Sequence, residues 1–110
     1  MKTKPLSEQT ALITGGATGI GRAFAQGLLA AGIGNVIIAS RRRKVLDAAA
    51  AKMNAEFGDR VTPYAFDIRD RSQTADLVRF AKDKFGAVDI LINNSGLAVP
   101  ESVIEITADG

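Results

Sequence analysis

Short runs of consecutive apolar residues alternate along this chain with longer stretches in which apolar residues recur every three or four positions. Runs of the first kind predict strands covered on both faces, and stretches of the second kind predict amphipathic helices. Ala11-Leu12-Ile13 centres a strand over about residues 10 to 14. A helix from about Gly19 to Ala31 follows, with Ile20, Ala23, Phe24, Gly27, Leu28 and Ala31 as its expected buried stripe and Arg22 and Gln26 opposite. Asn35-Val36-Ile37-Ile38-Ala39-Ser40 is apolar without alternation and predicts a second strand. Leu46, Ala49, Ala50, Met53 and Phe57 mark a second helix, which Gly58-Asp59 ends. Val61 to Phe66 supplies a third strand, weakened by Pro63 near its start. Leu77, Val78, Ala81 and Phe85 mark a third helix, Gly86 stops it, and Val88 to Ile92 makes a fourth strand.

A β-α-β-α-β-α-β order implies α/β architecture with a parallel sheet and right-handed crossovers. If strands one to three step outward in one direction, their two linking helices share a face. The fourth strand reaches the other side of the first only if the third helix crosses to the opposite face. The expected strand order is therefore 3-2-1-4, the first half of a doubly wound sheet. Between strands one and four lies the switch point, outside whose carboxyl ends such sheets bind ligands. With one helix on the second face and a bare edge at the fourth strand, exposed apolar surface is expected. Poor solubility or partial unfolding of this segment alone would follow.

The first strand exits into Thr14-Gly15-Gly16-Ala17-Thr18-Gly19-Ile20-Gly21. A sharp turn there must aim the unpaired N–H groups and positive dipole end of a helix at whatever sits beyond the sheet, which is a seat for a pyrophosphate. Gly15 suits the tight turn, Gly19 removes the side chain that would block backbone approach, and Gly21 lets helix and strand pack closely. An ordinary strand-to-helix loop is the plain alternative for a lone glycine spacing of this kind.

Composition narrows the chemistry further. The 110 residues carry 14 Lys and Arg against 12 Asp and Glu, for a net charge of +2, and 46% are hydrophobic, which suits one globular domain. Neither Cys nor His occurs. Thiol nucleophiles, disulfides, histidine bases and the common transition-metal ligand sets are thereby excluded within these residues. Arg41-Arg42-Arg43-Lys44 is one basic run without aromatic platforms, so no nucleic acid partner is expected. The stretch Met1 to Gln9 has no apolar core, and no apolar run reaches the roughly 18 residues of a membrane span. A cytoplasmic address without membrane contact is the expectation.

Thr14 to Gly21, Asp67-Ile68 after the third strand and Asn93-Asn94-Ser95-Gly96 after the fourth together resemble the short-chain dehydrogenase/reductase family over essentially the whole chain. Ser95 stands where that family usually has Ala. The resemblance implies a Rossmann-type sheet in which Gly15, Thr18, Gly19, Ile20 and Gly21 line the pyrophosphate and neighbouring ribose of a nicotinamide dinucleotide. It further implies that Asp67 takes the adenine amino group beside the Ile68 backbone, and that Asn93 and Gly96 offer backbone contacts to the ribose. Asn94 would tie adjacent strands through its amide. For Asp67, a surface carboxylate capping a turn is the alternative. Asn93-Asn94-Ser95 also matches a glycosylation sequon, which has no weight without a secretion signal.

About 20 residues past the glycine turn, an NAD site usually places Asp or Glu on the ribose 2′-hydroxyl, whereas an NADP site offers positive charge. Here the chain reads Ser40-Arg41-Arg42. A guanidinium fork suits a phosphate, so NADP (NADPH) is the expected cofactor. Ser40 would hydrogen-bond the phosphate, Arg41 would pair with it or stack on adenine, and Arg42 would assist. Arg43 and Lys44 would belong to the solvated start of the second helix. A wholly solvated loop is the alternative.

The resemblance implies hydride transfer using a Tyr and a Lys four residues apart on a later helix, a Ser one strand earlier and an Asn on the intervening helix. No such set is found here, so no catalytic residue is assigned. Tyr64, the only tyrosine, falls in the third strand and reads as core. Residues 1–110 are therefore expected to be the N-terminal part of a single NAD(P)-binding domain, truncated before the catalytic segment, with Thr107 as the cap of a further helix. The whole protein would be an oxidoreductase acting on a small-molecule carbonyl, alcohol or enoyl substrate, and a homo-oligomer. A non-catalytic nucleotide-binding or interaction module is the competing expectation. Leu97-Ala98-Val99-Pro100 reads first as a plain apolar loop, with the near edge of a substrate pocket as the alternative.

Overall fold

The computed structural model describes residues 4–94 and 103–106. After a 3-10 turn at Leu6–Glu8 come β1 (Thr10–Thr14), α1 (Gly19–Ala31), β2 (Asn35–Ser40), α2 (Arg43–Phe57), β3 (Val61–Ala65), α3 (Arg71–Phe85), β4 (Ile90–Asn93) and β5 (Val103–Ile106). The sheet runs β3-β2-β1-β4-β5, and β1 pairs in parallel with both β2 and β4. The order 3-2-1-4 expected from the sequence is present. Beyond β4 the expected bare edge is replaced by β5, which pairs antiparallel to it.

Alternation along the strands divides the core in two. Ala11, Ile13, Val36 and Ile38 face α1 and α2, packing with Ala25, Leu29, Leu46, Ala49, Ala50 and Met53. Leu12, Ile37 and Ala39 point the other way, onto Leu77 and Ala81 of α3. All five residues of β1 are buried. That is the environment in which a strand shows no polar alternation.

The stripe expected for α1 is rotated by about one position. Gly21, Ala25 and Leu29 are the buried residues, Phe24 and Leu28 flank them half-buried, and Ile20, Ala23, Gly27 and Ala31 are exposed. The cause lies at the helix start. A Cβ on Gly21 would strike the Gly15 carbonyl oxygen, so the helix sets its smallest residue against the turn and the large apolar side chains rotate aside. Val78 of α3 is likewise exposed, where the pattern had placed it in the core. Strand ends also differ by a residue or two: Phe66 is buried just past β3, and β4 begins at Ile90.

Polar side chains fasten the sheet's periphery. Asp89, nearly buried ahead of β4, accepts from the Thr10 N–H at 2.8 Å and from Lys4 Nζ at 2.8 Å. Arg60 donates to the carbonyls of Leu29, Ile33 and Phe57, at or just past the ends of two helices. At the β3 edge, Asn54 takes both the N–H and the C=O of Val61, and Pro63 has no N–H to offer. Such an edge gives little purchase to another strand.

Candidate functional site

The carboxyl ends of β1, β2, β3 and β4 converge where the order reverses. Gly15 leaves β1 with φ +71°, and its N–H donates to the Ala39 carbonyl at 2.7 Å, so the turn is pinned to β2. A Cβ there would run into the Asn94 carbonyl oxygen, and one on Gly16 would press on Ile38. Glycine is therefore required by collision as well as by torsion. Gly19 differs. It too has positive φ, +58°, yet a Cβ on it would meet nothing within 4 Å. The space in front of α1 is open.

Thr18 is the N-cap residue of α1, and its side chain makes no capping hydrogen bond. The first N–H groups of the helix consequently face that open space, where an anion gains from both donors and dipole. Ile20 stands 57% exposed beside them. Across the switch point, the Thr14 hydroxyl donates to Asn93 Oδ1 at 2.8 Å and accepts from the Asn94 N–H at 3.0 Å. The tie between β1 and β4 at this point is made by Thr14 with both Asn93 and Asn94, the latter through its main-chain N–H. Asn94 also lies over Gly15 and Gly21.

From Gly15 a crevice of about 180 Å³ continues along Thr14, Ala39, Ser40, Arg41, Arg42, Phe66 and Ile68. It adjoins, through Arg41 and Phe66, a more open groove bordered by Ala65, Asp67 and Gln73. The structure thereby gathers Gly15, Ser40, Arg41, Arg42, Asp67 and Ile68 along one path, with Thr18, Gly19, Ile20 and Gly21 at its α1 end. Gly96, Ser95, the loop 97–100 and Thr107 lie outside the described residues. Arg41 and Arg42 are exposed and make no ion pair among the described residues. Arg43, as expected, starts α2 in solvent, where it pairs with Asp47 at 3.2 Å.

Asp67 both caps its own turn and borders the groove. Oδ1 accepts the Arg69 N–H at 2.9 Å and Nε at 3.1 Å, and Oδ2 accepts Arg69 Nη2 at 3.0 Å. Hydrogen bonding from the Arg69 side chain and backbone, helped by the nearby charges of Arg69 and Arg41, holds the carboxyl down to about 2. It is an ionised, acceptor-only group at neutral pH, and Oδ2 keeps a lone pair free. Asp70 caps α3 by accepting from the N–H groups of Ser72 and Gln73, and these contacts with the Ser72 hydroxyl lower its pKa. Tyr64, expected in the core, is half-buried on edge strand β3 and packs beside the core against Phe80, ring centroids 4.9 Å apart.

Sequence reasoning did not single out Thr14 as the strand tie, nor Phe66, Arg69 or Gln73. For Gln73 a signal existed: Asp70-Arg71-Ser72-Gln73 has the spacing of a helix capping box.

A doubly wound sheet with a glycine turn and an uncapped helix start at its switch point defines a nucleotide-binding α/β class. Within that class the chain belongs to the short chain dehydrogenase family, whose profile matches residues 9–109. It is 38% identical over 96 residues to the short-chain dehydrogenase anuI of Penicillium roqueforti, covering 86% of this chain and 36% of the relative. Over 90 residues it is 41% identical to the peroxisomal 2,4-dienoyl-CoA reductase of Danio rerio, covering 82% of this chain and 30% of that one. The L-sorbose reductase of Gluconobacter frateurii, solved with NADPH and L-sorbose, superposes with a TM-score of 0.77 at 33% identity, covering 86% of this chain and 36% of that one. The chain spans about a third of the length of these relatives.

Proposed function

We propose that this chain supplies the dinucleotide-binding part of an NADP-dependent oxidoreductase that exchanges hydride with a small-molecule carbonyl, alcohol or enoyl substrate. The observation that carries the reading is the Ser40-Arg41-Arg42 corner, which joins the crevice beginning at the glycine turn and offers cations with no carboxylate of its own. NADPH in the related L-sorbose reductase supports the same choice.

The residues fit such a group from end to end. The α1 N-terminus takes the diphosphate through main-chain N–H groups, and the open space before Gly19 lets it come close. Exposed Ile20 and Ile68 give apolar walls to ribose and adenine. Arg41 and Arg42 meet a 2′-phosphate with guanidinium donors, and Ser40 adds a hydroxyl. Asp67 Oδ2, ionised and half engaged, accepts from the adenine amino group. Nicotinamide supplies the hydride chemistry when bound; these residues hold the remainder of the dinucleotide in register.

Calorimetric titration of the complete protein with NADPH and NADH tests the reading. The unmodified protein should prefer NADPH, and Arg41→Ala should weaken NADPH by about tenfold or more while changing NADH by about twofold at most. Unchanged NADPH affinity in Arg41→Ala would refute the assignment of that guanidinium.

A further inference from the structure

Gln73 holds a place in this site that neither family motif nor hydrophobic pattern assigns. At the third position of α3, a glutamine in a capping box normally reaches back to the N–H of the capping residue. Here the Asp70 N–H is already given to the Asp67 carbonyl at 3.0 Å. The Gln73 side chain reaches further: Oε1 accepts the Asp67 N–H at 2.8 Å, and Nε2 donates to Asp70 Oδ2 at 3.2 Å. One amide thus fastens the residue 67–70 turn to the first turn of a helix that is packed on the sheet through Leu77 and Ala81. Gln73 also borders the groove together with Asp67 and Arg41.

We propose that Gln73 is a positioning residue for base recognition, fixing the Asp67 backbone so that its carboxylate meets the exocyclic group of the bound purine. The inference rests on the dinucleotide reading above. Chemistry makes it specific. An acceptor-only carboxylate attracts the amino group of adenine and repels the carbonyl oxygen that hypoxanthine carries at the same position. If the Asp67 turn is free to relax, this discrimination fades, while attraction for the phosphates is untouched. A residue that only stabilised the fold would weaken both nucleotides together.

The test compares NADPH with its hypoxanthine analogue by calorimetry on the complete protein. The unmodified protein should favour NADPH by about tenfold. In Gln73→Met that preference should fall to about twofold, with affinity for the hypoxanthine analogue held within about twofold. Gln73→Asn, the same amide one methylene short of the Asp67 N–H, should give the same loss and serves if methionine disturbs folding. Gln73→Glu keeps an acceptor oxygen at the original reach but turns the other oxygen against Asp70 Oδ2, so it should recover only part of the preference. A Gln73→Met or Gln73→Asn protein that still discriminates tenfold overturns the role of Gln73 and leaves the dinucleotide reading standing. Equal binding of the two nucleotides by the unmodified protein refutes the Asp67 contact and this inference with it. Binding of neither nucleotide refutes both readings.

Discussion

The two halves of the site are held in shape by different means. At the proposed diphosphate end, main-chain collisions do the work: Gly15 passes under the Asn94 carbonyl and Gly21 passes over the Gly15 carbonyl, with no room for a Cβ at either. At the proposed base end, polar side chains do it: Arg69 forks onto Asp67, and Gln73 links the Asp67 N–H to Asp70. Backbone collisions leave a fixed mark in sequence, since only glycine satisfies them. Side-chain networks can be built from many residue combinations, so they leave a fainter one.

Two glycines sharpen that contrast most. Gly15→Ala forces a methyl group into the Asn94 carbonyl at φ +71°, and the combined strain and overpacking should cost about 3 kcal/mol or more in urea unfolding. Gly19→Ala meets nothing and bears only its positive φ, a cost of about 1 kcal/mol. Its methyl group enters the space before α1, so NADPH affinity should fall by about a hundredfold despite the mild effect on folding. If Gly19→Ala bound NADPH normally, the diphosphate would have to sit elsewhere.

A smaller effect probes the base end. Arg69→Ala removes the guanidinium donors and charge but keeps the residue 69 N–H, so the titration midpoint of Asp67, followed by carbon NMR, should rise part of the way from about 2 toward the ordinary 3.8. Because the folded value lies below the ordinary one, the pair's contribution to stability is complete above about pH 4 and fades as pH falls through about 2. Both groups are solvent-facing, and stability near neutral pH should change little. An unmoved midpoint would show that the Arg69 fork is not what holds the carboxylate.

Topology was legible from element order and crossover hand once strands one to three are taken to step outward in one direction. Four strands alternating with three helices then give 3-2-1-4 without side-chain detail. The rotation of α1 was not legible. Apolar periodicity favours the largest residues, whereas the close contact selects the smallest, Gly21, and the sheet-facing row becomes Gly21-Ala25-Leu29. Within the site, the glycine turn and the Ser40-Arg41 corner could be read from composition at a strand exit. The tie that the sequence suggested for Asn94 is made by its main-chain N–H onto Thr14, and the second link, from the Thr14 hydroxyl to Asn93, was not legible because only register reveals which β4 neighbour that hydroxyl meets. Strand β5 went unread although Val103-Ile104-Glu105-Ile106 is rich in β-branched residues, and the capping-box spacing points to Gln73 without telling which of two N–H groups it takes.

Seating of a diphosphate by main-chain amides is most directly tested by amide NMR of the isotope-labelled protein during addition of NADPH. The N–H signals of Thr18, Gly19, Ile20 and Gly21 should move most, while that of Val61, taken by Asn54 at the far edge of the sheet, should stay in place. Saturable binding that leaves those four signals unmoved would contradict the seat at the start of α1.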